Sequence, residues 1–71
     1  MIDSIDVHPA DLDYALDLID FHGYGNNVSD YYPASSVRSV ISFEGLTSRE
    51  VLDIIDVLID NGIEADSSLN F

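Results

Sequence analysis

The sequence predicts one small α+β domain with two helices and an antiparallel sheet. Two segments carry helical apolar periodicity with start and stop signals, and two others alternate with a period of two. The third observation is length: 71 residues suffice for one domain only. A chain this short buries about 60% of the surface that its unfolded form exposes. Its core rarely supplies more than about 3–5 kcal/mol, so staples or oligomerisation are common aids.

The elements follow in chain order. Ile5 and Val7 mark a short first strand. A first helix is expected over residues 9–22, with Pro9 in its first turn and Asp11 well placed against the dipole. At about 100° per residue, Leu12, Ala15, Leu16 and Ile19 form one stripe, widened by Tyr14, Leu18 and Phe21. Asp13, Asp17 and Asp20 gather in a narrow row opposite. Gly23 and Gly25 end the helix. His8 is expected to cap its start and His22 its last turn. Residues 26–32, NNVSDYY, read as either a weak edge strand or a loop.

The second helix is expected over residues 48–61. Thr47-Ser48-Arg49-Glu50 reads as a capping box, with Leu46 and Val51 placed as a hydrophobic staple. Val51, Leu52, Ile54, Ile55, Leu58 and Ile59 make a broad apolar face. Asp53, Asp56 and Asp60 form a second narrow row, headed by Arg49 at ion-pair spacing to Asp53. Asn61-Gly62 closes the helix. Strands are expected over 36–44, with Val37, Ile41 and Phe43 on one side, and over 63–70, with Ile63, Ala65 and Leu69 on one side.

The two halves share a plan of strand, turn, helix with an aspartate row, glycine stop and extended segment. Strand–helix–strand twice is the ferredoxin-like βαββαβ order, a two-layer domain. The alternative is a two-helix α+β domain completed by dimerisation. About 200° of each helix is apolar by this winding. A homodimer, or the loop at 24–33, is therefore expected to cover Tyr14, Leu18, Phe21 or Ile54.

Charge is the outlier. Fourteen acids face two basic residues, a net charge of −12, while hydrophobic residues make up 46%. That apolar content excludes a disordered acidic tail. An acidic surface repels nucleic acid and anionic membrane, so neither is an expected partner, and it attracts basic proteins. Eleven of the fourteen acids are Asp, a poorer helix former than Glu. Asp holds its carboxylate on a shorter lever, so each row is better positioned. A row offers one charge per about 5 Å of helix axis, against one phosphate per about 3.4 Å on a DNA strand. Two rows approach the charge density of a phosphate backbone.

The expected function is therefore a small acidic binding protein that mimics nucleic acid and inhibits a basic nucleic-acid-binding protein. Phage anti-CRISPR and anti-restriction factors work this way. An alternative is an acidic structural or regulatory oligomer subunit whose charge serves solubility. No catalytic residue is expected. There is no cysteine, no lysine and no G-x-S-x-G elbow, and no carboxylate pair stands apart from the rest. No cofactor or metal is expected either, because DNGIEAD and DLDYALD do not match the calcium loop. No apolar run approaches the roughly 20 residues of a membrane span, and MIDSIDVHP lacks signal-peptide features. A cytoplasmic location is expected, in the host cytoplasm if the protein is viral.

One further stretch offers anchors. GYGNNVSDYYP, residues 23–33, is rich in tyrosine, an interface anchor residue. The simplest structural reading has Tyr31 and Tyr32 straddling a strand, one buried and one out. SDYYP, residues 29–33, resembles the tyrosine-pair segment of the colicin DNase immunity proteins. Those four-helix proteins bind a basic nuclease through acids and the tyrosine pair. The resemblance implies an immunity-type nuclease inhibitor with Asp30, Tyr31 and Tyr32 as anchors. It covers five residues. The chain length and the strand expected at 36–44 depart from that four-helix family, so the likeness is one of binding logic.

Overall fold

A computed structural model describes residues 3–68. The elements are β1 (Ser4–Val7), α1 (Leu12–Phe21), β2 (Val28–Pro33), β3 (Ser39–Phe43), α2 (Ser48–Asp60) and β4 (Ala65–Ser67). Short 3-10 turns at Pro9–Asp11 and Gly25–Asn27 flank α1. The four strands form one antiparallel sheet in the order β2-β3-β1-β4. The protein is thus an α+β domain of two helices on a four-stranded antiparallel sheet.

One core joins the layers. Ile5 and Val7 of β1 and Ile41 and Phe43 of β3 meet Ala15 and Ile19 of α1 and Val51, Ile54, Ile55 and Leu58 of α2. The strand residues alternate, so both helices cover the same sheet face. Ile54 is only 2% exposed and Leu18 packs against this core. Of the four residues expected against a second chain or the loop at 24–33, Ile54 winds between Val51 and Leu58 on the inward side and, like Leu18, is taken up by the domain's own core. Tyr14 and Phe21 remain exposed.

The caps explain where the helices sit. Thr47 Oγ1 accepts from the Glu50 N–H, and Glu50 Oε1 accepts from the Thr47 N–H, completing the capping box. His8 Nδ1 accepts from the Ala10 N–H at 3.0 Å. That cap opens a 3-10 turn, so the α-helix begins at Leu12 instead of residue 9. Both helices stop alike. The Gly23 and Tyr24 N–H groups donate to Asp20 and Ile19, and the Gly62 and Ile63 N–H groups donate to Ile59 and Leu58. Gly23 and Gly62 have φ of 89° and 83°, where a side chain would be strained.

Two strands are shorter than expected. The Ala34 and Ser35 N–H groups both donate to the Arg38 carbonyl. This closes a turn before β3 and leaves Val37 outside the strand, 67% exposed. Ile63 is buried, but its N–H belongs to the stop of α2, so β4 starts at Ala65. Residues 69–70 of the expected strand lie outside the described residues. The ambiguous stretch at 26–32 divides into a 3-10 turn and the edge strand β2, which carries an irregularity between Val28 and Asp30.

Candidate partner-binding surface

The helix layer carries both aspartate rows. Asp13, Asp17 and Asp20 on α1 are all exposed, as are Asp53, Asp56 and Asp60 on α2. The amphipathic winding that buries Ile19 and Leu58 forces this, because each row lies opposite its helix's core stripe. Arg49 Nε sits 3.8 Å from Asp53 Oδ1, with both side chains well exposed. Among the described residues the side chains of the other five row aspartates form no ion pair or hydrogen bond. Asp20 leans back on the chain, so that a Cβ on Gly25 would meet its Oδ1. Gly25 therefore leaves room for this carboxylate, a role beyond helix termination.

Asp30, Tyr31 and Tyr32 lie on β2, an edge strand. Tyr31 stands opposite Ile41 and Tyr32 opposite Val40. Tyr31 thus points to the helix side of the sheet and Tyr32 to the outer side. Both stay half exposed, at 53% and 43%. The expectation of one buried and one exposed ring is corrected: an edge strand has a neighbour on one side only, so neither ring is enclosed. The Asp30 carboxylate accepts from the Tyr31 N–H at 2.8 Å.

The outer sheet face holds an acid cluster that the sequence did not flag. Asp6 and Asp66 stand directly opposite each other on β1 and β4, an unfavourable like-charge pair. Arg38 offsets it, with Nε 2.9 Å from Asp6 Oδ2 and a second nitrogen donating to Ser68 Oγ. A shallow hollow of about 370 Å³ lies here, lined in part by His8, Arg38 and Glu64. Among the described residues no group of three or more His, Cys, Asp or Glu side chains is placed to hold a metal ion. No described helix is long and apolar enough to cross a membrane.

The chain matches no family model, no curated protein and no solved structure. The surface itself therefore carries the functional reading. It offers exposed carboxylates on the helices, a tyrosine-flanked sheet edge and very few cations. The only two arginines are both engaged with aspartates.

Proposed function

We propose that this chain is a binding protein whose aspartate rows occupy the nucleic-acid site of a basic protein, in the manner of a phosphate-backbone mimic. The observation that carries this reading is the exposure of all six row aspartates on one layer of the domain. Each row is set by backbone winding at about 5 Å per charge, so the carboxylates are positioned before any partner arrives. Inhibition of an anti-viral nuclease, as by anti-CRISPR or anti-restriction factors, is the role this charge geometry suits. The ferredoxin-like arrangement belongs to the same proposal. Its support is the βαββαβ element order, with β3 lying between β1 and β2 in the sheet.

Competition tests the reading. Basic proteins retained from a host lysate by the immobilised domain should be released by duplex DNA. A variant with all six row aspartates changed to Asn should bind the captured protein at least about tenfold more weakly, equivalent to about 1.4 kcal/mol. Its association rate should lose its steep salt dependence. Binding insensitive both to DNA and to the six substitutions would remove the mimic. The site would then move to Asp30, Tyr31 and Tyr32, whose joint exposure on an edge strand favours the nuclease-inhibitor reading.

A further inference from the structure

The two edges of the sheet differ in their hydrogen-bonding groups. The Phe43 N–H donates to the Asp3 carbonyl, so the odd-numbered residues of β3 bond toward β1 and the even-numbered ones toward β2. Tyr31 and Pro33 stand opposite Ile41 and Ser39, so their backbone groups point away from the sheet. An edge normally presents alternating N–H and C=O groups to any incoming strand. Here the Tyr31 N–H is taken by the Asp30 carboxylate, and Pro33 has no N–H. From Asp30 to Pro33 the edge presents acceptors only: two carbonyls and a carboxylate. At β4 the Ser67 N–H is likewise taken by Asp66, but Ala65 keeps an outward donor.

An acceptor-only edge cannot pair with another strand, which needs donors and acceptors in turn. It matches a group that only donates. The guanidinium of arginine carries five N–H donors and no acceptor. It is weakly hydrated and stacks on aromatic faces, whereas the lysine ammonium is a strongly hydrated point charge. The Tyr31 and Tyr32 rings flank this edge from opposite faces of the sheet and are half exposed, which leaves aromatic surface open to a cation. The −12 charge of the chain draws the same kind of ligand.

We propose that the β2 edge from Asp30 to Pro33 is a receptor for arginine side chains of a basic partner, closed to strand addition by its lack of N–H donors. The proposal shares with the mimic reading only the requirement for a cationic partner, and it does not need the helix rows to imitate phosphate.

The test is an NMR titration of the intact chain with N-acetyl-arginine amide, and with N-acetyl-lysine amide at equal ionic strength. The arginine amide should shift the Asp30, Tyr31 and Tyr32 signals saturably and bind at least about threefold more tightly than the lysine amide. Asp30→Asn keeps an oxygen for the Tyr31 N–H but removes the charge, and it should weaken the arginine amide by about threefold, in the range of an exposed ion pair. Asn at Asp53, Asp56 and Asp60 should leave these shifts unchanged, which separates this site from the helix rows. Equal shifts from both amides, or shifts spread over the helix aspartates, would overturn the receptor. The double change Asp30→Ala with Pro33→Val restores two outward donors and should make the chain self-associate in sedimentation. A variant that stays monomeric would overturn the claim that missing donors close the edge.

Discussion

The aspartates of the sheet and those of the helices are the same side chain in two different positions. On the sheet, Asp6 holds Arg38, Asp30 holds the Tyr31 N–H and Asp66 holds the Ser67 N–H. In the helix rows, only the Asp53 side chain touches a partner, Arg49 at 3.8 Å, with both side chains exposed. The sheet acids satisfy neighbours that the fold leaves open. Apart from Asp53, the row aspartates' side chains satisfy nothing within the described residues, and at i, i+3 and i+4 spacing they repel each other. The sheet aspartates thus support the fold, with Asp30 also facing outward at the edge, whereas the helix-row aspartates are mainly presented outward. A mutational effect on stability should follow the sheet aspartates, and an effect on a cationic partner the helix rows and Asp30.

The largest break in this contrast should come from Arg38→Ala. It leaves Asp6 facing Asp66 with no cation between them. The pair is partly buried, so the cost should lie between the exposed and buried limits, at about 1–3 kcal/mol, read by urea unfolding. Arg49→Ala, the matched change on the helix layer, should cost under about 0.5 kcal/mol. Equal losses would mean that the helix acids also support the fold.

Thr47→Ala comes next. The helix rows are positioned by their backbone, so removing the capping box should cost about 1 kcal/mol without touching any aspartate. Amide exchange should then accelerate in the first turn of α2, near Asp53, and not in α1.

The edge acids should show a smaller effect. Asp30→Ala and Asp66→Ala each release one outward N–H to water, so each should cost less than about 1 kcal/mol in thermal or urea unfolding. A larger loss at Asp30 would mean that it also orders the irregular start of β2.

The smallest effect should have the opposite sign. Changing Asp13, Asp17 and Asp20 to Asn should raise stability by a few tenths of a kcal/mol for each repulsive pair relieved. The α2 triple at Asp53, Asp56 and Asp60 should gain less, because Asp53 gives up Arg49. Added salt should raise the melting temperature of the wild type more than that of either triple, since screening acts on exposed charge. A wild type flat in salt would show that the rows do not repel.

Much of this architecture was legible in the sequence. Local signals set both helices: the capping box at Thr47, the His8 cap, the glycine stops and the apolar stripe that pushes Asp13, Asp17, Asp20, Asp53, Asp56 and Asp60 outward. Each involves residues within a turn or two of one another, so spacing alone reveals it. The ends of β3 and β4 were not legible, because a turn at the Arg38 carbonyl and the stop of α2 compete with simple alternation.

Which groups meet across the chain depends on packing between distant segments. Asp6 and Asp66 lie on two strands far apart in the chain, and strand order put them face to face and brought Arg38 to one of them. The sequence SDYYP showed an acid beside two tyrosines. Strand order and pairing register made that segment an edge, turned the Tyr31 backbone outward and left both rings half exposed. Register depends on contacts between residues far apart in the chain, and a period-two pattern is equally consistent with an edge or a central strand.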